Sequence, residues 1–134
     1  MLIVKTKLDV SPINGLGVFL LEKVKKGQPV WMFHPAIDLI YPASALNDTA
    51  LPDSLHKILR HHGYPHQINQ ESVIVLGLDH DRFMNHAEQP SVLEGSDGQE
   101  VAARDMEVGE ELTCDYRRFD PHYEWCAAFL RPVP

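Results

Sequence analysis

Apolar and β-branched residues come in short runs through the first 41 residues, each bounded by a turn signal. The runs are Leu2 to Leu8, Val18 to Leu21, Pro29 to Phe33 and Ile37 to Tyr41; Ser11-Pro12-Ile13-Asn14-Gly15, Lys26-Gly27 and His34-Pro35 separate them. They predict a small β meander. Beyond Pro42 the period changes. Leu55, Ile58, Leu59 and His62 stand at i, i+3, i+4 and i+7, one face of a helix, with Asp53 or Ser54 as cap and Gly63 as stop. Residues 42–63 are therefore expected as a helical insert. Strand signals return at Val73 to Leu78, Glu100 to Ala103 and Glu111 to Tyr116, the last two linked by a turn around Val108-Gly109. Asp120 and Pro121 then open an amphipathic stretch through Trp125 and Phe129, which predicts a C-terminal helix within a flanking segment of residues 117–134. The pattern is mainly β with two short helices, and periodicity alone does not choose between a barrel, a sandwich and several small sheets.

Size and composition narrow the class. A chain of 134 residues fits one domain, residues 1–134, because a second core would leave each half marginal. At 44% hydrophobic and 23% charged residues it is far from the composition of a disordered chain. No apolar run approaches the roughly 20 residues of a membrane span, and Met1-Leu2-Ile3-Val4-Lys5 is charged too soon for a signal peptide. The expectation is a cytoplasmic protein with no membrane partner. Two cysteines, Cys114 and Cys126, are too few for a disulfide scaffold and lack zinc-cluster spacing, so both are read as thiols. The net charge of −7 is uneven: Asp79 to Asp115 holds eleven acids against Arg82 and Arg104, a balance of −9, and the remainder carries +2. Such a segment repels nucleic acid and attracts a lysine-rich protein, unless it is simply a solvated acidic face.

Three segments carry candidate chemistry. Asn14-Gly15-Leu16-Gly17-Val18-Phe19 places two glycines around one residue, so main-chain groups can approach a ligand closely, although Gly-x-Gly alone also describes an ordinary hairpin turn. It lacks the helix and third glycine of a dinucleotide fingerprint. Arg82-Phe83-Met84-Asn85-His86 sets a polar pair after an apolar run, and as a plain loop its side chains would tie down backbone groups. Gly109-Glu110-Glu111-Leu112-Thr113-Cys114-Asp115-Tyr116 reads as a turn followed by a strand, which leaves the Asp-Tyr ending unexplained. His56, His61, His62 and His66 gather near the insert, but Gly63 and Pro65 break any regular His-x3-His helix, and no metal site is expected.

In this order the three segments resemble the SET-domain family of protein lysine methyltransferases. The resemblance runs from Ile13 to Tyr116 on Gly15 to Gly17, Arg82 to His86 and Gly109 to Tyr116, and the Thr-Cys-Asp-Tyr spelling is similar to compact bacterial members. It implies a SET-domain fold of several small β-sheets, with the Asn-His and Asp-Tyr segments meeting in a knot-like C-terminal crossing. It also implies S-adenosylmethionine (SAM) as methyl donor. Leu16, Gly17 and Val18 would contact the cofactor through backbone. Arg82, Asn85 and His86 are carried over as cofactor residues, Arg82 equally as a brace. Tyr116 would be the catalytic residue, and Cys114, Tyr116, Phe119 and Trp125 would line the substrate channel.

The expected activity is methyl transfer to a lysine amine of a basic protein, and the alternative is a non-catalytic SET module that binds SAM or a basic partner. Cys114 stands where many eukaryotic relatives carry Phe or Tyr that limits the number of methyl groups added, and Ser91 where many carry Asn. A domain this small would complete its lysine channel by forming a homodimer.

Overall fold

A computed structural model describes residues 1–96 and 98–119. Ten strands run in chain order: β1 (Thr6–Val10), β2 (Leu16–Leu20), β3 (Pro29–Met32), β4 (Asp38–Pro42), β5 (Tyr64–Ile68), β6 (Glu71–Gly77), β7 (Asn85–His86), β8 (Val92–Glu94), β9 (Gln99–Ala102) and β10 (Glu111–Cys114). The helix α1 (Asp53–His62) follows a 3-10 turn at Ala43–Asn47, and further 3-10 turns stand at His80–Phe83 and Tyr116–Arg118. The strands form three small sheets of order β1-β2-β10-β7, β3-β9-β8 and β4-β6-β5. The mainly β, several-sheet architecture is as expected, with no closed barrel among the described residues. The expected C-terminal helix and Trp125 lie outside the described residues.

Strand β10 organises the first sheet. Its first half pairs antiparallel with β2, through Glu111 with Phe19 and Leu112 with Val18. Its second half turns to β7 and pairs parallel, Thr113 with Asn85 and Cys114 with His86. The Asn-His and Asp-Tyr segments thus lie side by side. Beneath them Val18, Leu20, Met84, Leu112 and Cys114 join the larger of two core clusters, and Leu8, Phe83, Tyr116 and Phe119 pack against it. The smaller cluster, Ala45, Leu59, Ile74 and Leu76, joins the insert to β6.

Several local expectations need correction. The first strand begins at Thr6, not Leu2, because Leu2 makes only an isolated bridge to Trp31. The residue capping α1 is Pro52, in extended conformation, so Asp53 is the first helical residue and acts through its charge at the N-terminus. Gly63 does stop the helix, yet its φ of −80° is one any residue adopts. Space explains it better: a Cβ there would press on the Leu59 carbonyl and the Ile74 side chain. Ile58, placed by its spacing on the buried face, is 44% exposed, and only Leu59 of α1 is fully buried. Three strands, β5, β7 and β8, were not expected. Pro65 sits in β5 because β5 is an edge strand, where a missing N–H breaks no ladder bond.

Candidate functional site

The Gly-x-Gly turn closes on itself through the Ser11 N–H, which donates to the Gly15 carbonyl at 2.9 Å. Gly15 has φ +51°, the left-handed region where a side chain is strained. Gly17 is small for a different reason, since a Cβ there would overlap the Glu111 carboxylate and lie 3.0 Å from Ser11 Cβ. That carboxylate accepts from Ser11 Oγ at 2.9 and 3.0 Å. The Asn85 amide, 7% exposed, donates from Nδ2 toward the Asn14 carbonyl (3.1 Å), the Leu16 carbonyl (3.0 Å) and Glu111 Oε1 (2.9 Å). One buried side chain therefore fastens β7 to the glycine turn and to β10. These contacts give Asn85 a structural part, as in the reading where its side chain ties down backbone groups.

Leu16 is 44% exposed beside this turn, whereas the Val18 side chain is fully buried in the core, so any contact of Val18 with a ligand would be through main chain. The next residue along β7 meets the end of β10. His86 Nδ1 accepts from the Tyr116 N–H at 3.1 Å, which places the proton of a neutral ring on Nε2. The two rings lie 5.3 Å apart. The Tyr116 hydroxyl donates to the Met84 carbonyl at 2.8 Å. Asp115 Oδ1 stands 3.7 Å from His86 Nδ1, and the Arg117 side chain, bonded to both Asp115 oxygens, holds that carboxyl below its ordinary range.

Other named residues fall at varied distances from this junction. Cys114 is buried in the larger core cluster against which Tyr116 packs. Arg82 lies in the 3-10 turn before β7, its guanidinium 5.1 Å from the Phe83 ring and its carbonyl 3.2 Å from His62 Nδ1. His62, pulled down from its usual range chiefly by burial, so ties the end of α1 to the approach of β7. Ser91 is buried and bonded to Thr113: its N–H donates to Thr113 Oγ1 at 3.0 Å and its Oγ accepts from the Thr113 N–H at 2.8 Å. It does more than shape a turn.

Sequence reasoning missed Glu111, Ser11 and Tyr64. A charged residue opening a strand otherwise destined for the core was the available signal for Glu111. Tyr64 is on β5, and its ring lies 4.9 Å from Phe119. Burial, with Asp81, Glu100 and Asp38 nearby, pushes its phenol up.

Many of the acids between Asp79 and Asp115 have structural partners. Asp105 pairs with Lys25, Glu107 with Lys23, Glu110 with Arg104 and Asp115 with Arg117. Asp79 and Asp81 stand beside buried Asp38 and the Met1 ammonium, which is 3.1 Å from Asp38 and 3.6 Å from Asp81. Trp31 Nε1 donates to Asp81 at 2.7 Å, and the Leu2 N–H to Asp79 at 2.8 Å. Burial first, then the hydrogen bond to Asp79, pushes Asp81 up to about 7. The −9 balance is thus partly internal, which leaves less free charge on that segment than its count implies. Among the described residues no helix is long and apolar enough to cross a membrane.

No curated protein matches the chain. Among solved structures its fold is similar to that of a candidate histone methyltransferase from Plasmodium falciparum, at TM-score 0.54 and 18% identity over 84% of this chain and 93% of that one. It is also similar to a humanized mutant of the Chaetomium thermophilum Polycomb Repressive Complex 2 in an inhibitor-bound form, at TM-score 0.62 and 19% identity. That match covers 87% of this chain but spans 15% of the other. Residues 15–117 match the SET domain, a stretch that contains the glycine turn, the Asn85–His86 pair and the strand leading to Tyr116. The chain belongs to the SET-domain family.

Proposed function

We propose that this protein is a lysine N-methyltransferase that takes a methyl group from SAM and delivers it to a lysine side-chain amine of a basic protein. The observation that carries the reading is the Tyr116 phenol at the β7–β10 junction, with its proton committed to the Met84 carbonyl at 2.8 Å. So held, its oxygen retains lone pairs as an acceptor and has no need to serve as a base.

The residues beside the glycine turn suit the cofactor. Their side-chain groups are the Glu111 carboxylate and the Asn85 amide, an anionic and a neutral partner for a molecule that carries a positive sulfonium. Main-chain groups of Leu16, Gly17 and Val18, with Asn85 and His86, would hold it. When bound, SAM supplies a methyl group already activated on sulfur. The protein's remaining task is to align a neutral amine, exclude water and keep the reacting groups in line. The Tyr116 oxygen would accept weak C–H hydrogen bonds from the polarised methyl and orient the amine. Free lysine titrates near ~10.4, and a dry channel beside a positive charge favours its neutral form. Phe119 and Cys114 are assigned to the walls of that channel. We place the activity in the cytoplasm, with a second copy of the chain as the partner that lengthens the channel.

Incubation with methyl-labelled SAM and a panel of lysine-rich proteins tests the reading. Label on lysine, lost in Tyr116→Phe, is the expected result. SAM binding without transfer to any protein would favour a non-catalytic module instead.

A further inference from the structure

The Asp-Tyr motif holds the backbone that leads to Phe119, but its bonds to that backbone do not reach the Phe119 ring. The 3-10 turn Tyr116–Arg118 is too short to be stable alone, and its local support comes from Asp115, which accepts from the Arg117 N–H and side chain and, by its carbonyl, from the Arg118 N–H (3.1 Å), and from the Phe119 N–H to the Tyr116 carbonyl (3.0 Å). The rest comes from other sheets. Arg118 Nη1 lies 3.2 Å from Glu100 Oε1 on β9, and Nη2 lies 3.8 Å from Glu94 on β8. The guanidinium carbon is 5.4 Å from the Phe119 ring, and that ring in turn is 4.9 Å from Tyr64 on β5. The turn and the residue after it thus reach three separate places: Tyr116 the approach to β7, Arg118 the β8–β9 pair, and Phe119 the sheet of the insert.

We infer that Arg118 is a positioning residue for the lysine side of the site: its ion pair with Glu100 seats Phe119 on Tyr64 and so fixes the wall beside Tyr116. The inference rests on the methyltransferase reading above and names a determinant of how that site meets its substrate.

The energetics favour a geometric role over a stabilising one. Side-chain exposure is 13% for Glu100 and 23% for Arg118, so both charges have lost most of their water. Burial pushes the Glu100 carboxyl up, against the opposing pull of Arg118, so desolvation outweighs the attraction. Arg118 Nε is buried without a hydrogen-bond partner among the described residues, a further cost. A pair with this balance gains the fold little. What it supplies is one direction for the chain leaving Tyr116, with a planar guanidinium between an acid and a ring that a lysine would not reproduce.

Arg118→Met, Arg118→Lys, Glu100→Gln and the Arg118→Met/Glu100→Gln double variant test this. In SAM-free protein, amide hydrogen exchange at positions 118 and 119 should speed up about tenfold in Arg118→Met and in Glu100→Gln, with the double variant no faster than either. With a lysine-rich protein substrate, kcat/KM should fall about tenfold through KM, while SAM Kd stays within about twofold, and Arg118→Lys should not restore it. Unchanged exchange overturns the inference whatever the activity. Faster exchange with an unaltered substrate KM overturns it as well. A wild-type protein that transfers no methyl group defeats the methyltransferase reading, and the exchange rates then still decide whether the ion pair seats Phe119. Should Glu100→Gln fold poorly, the more exposed Arg118 carries the test.

Discussion

Asn85 Nδ2 lies 2.9 Å from Glu111 Oε1, at the point where β10 exchanges β2 for β7 as its partner. The same amide reaches the Asn14 and Leu16 carbonyls, so its removal leaves three acceptors, in the glycine turn and in β10, without this donor. Asn85→Ala should lose SAM binding and also destabilise the fold by about 1–2 kcal/mol, through the loss of these part-buried hydrogen bonds. Urea unfolding and titration calorimetry check the two effects. Unchanged unfolding would mean that the tether carries no weight, and unchanged SAM affinity that Asn85 is not at the cofactor.

Tyr116→Phe removes a single oxygen from a ring that stays packed on the core. Turnover should drop on the order of 100-fold with SAM affinity nearly kept, because an interaction confined to the transition state has been lost. Loss of the bond to the Met84 carbonyl should cost about 1 kcal/mol of stability as well. Single-turnover kinetics beside a melting curve separates the two, and a fully active variant removes Tyr116 from the chemistry.

Cys114 leaves more room than a ring, so wild-type protein should add more than one methyl group. Its burial at 6% exposure changes what Cys114→Tyr will do. The ring must displace core neighbours, and the variant should be destabilised by about 1–3 kcal/mol before any restriction toward monomethyllysine is seen. Mass spectrometry of the products decides: monomethyllysine alone from wild type contradicts the role given to the thiol.

Asp81 should make stability depend on pH. Its folded value of about 7 lies above the ordinary 3.8, so its contribution is fully present below about 3.8, falls as pH rises and is gone above about 7. Asp81→Asn keeps the neutral form at all pH values. It should flatten that part of the profile and raise the melting temperature at pH 8. Trp31, bonded to Asp81 at 2.7 Å, should report the titration as a fluorescence change near neutral pH that the variant lacks. The same pH slope in both proteins would assign it to another group.

The sequence was readable where chemistry and period coincide. The order of the glycine turn, Asn85-His86 and Asp115-Tyr116 indicated the family, and the sheets bring these segments together. It was less readable where a residue's role depends on a partner far along the chain. Glu111 looked like one acid of a charged run until Ser11, 100 residues earlier, was found against it. The strand β5 was hidden because Tyr-Pro-His-Gln-Ile has little apolar alternation, and an edge position tolerates both its proline and its polarity. The acidic segment had the right charge count, but counting cannot separate an ion-paired or buried carboxylate from a free one.

The change of partner along β10 also sets the order of assembly. Its contacts reach back 100 residues to Ser11, 26 to Asn85 and 30 from Tyr116 to His86, while Asn85 itself reaches 71 residues back to Asn14. The bonds made by Glu111 and Tyr116 cannot form until β10 and the turn after it arrive, and each closes a long loop whose entropy must be lost first. On the ribosome the glycine turn and the Asn-His pair emerge early and wait without a common neighbour. The junction thus closes in one late step, when the four residues of β10 join β2 and give β7 its strand partner.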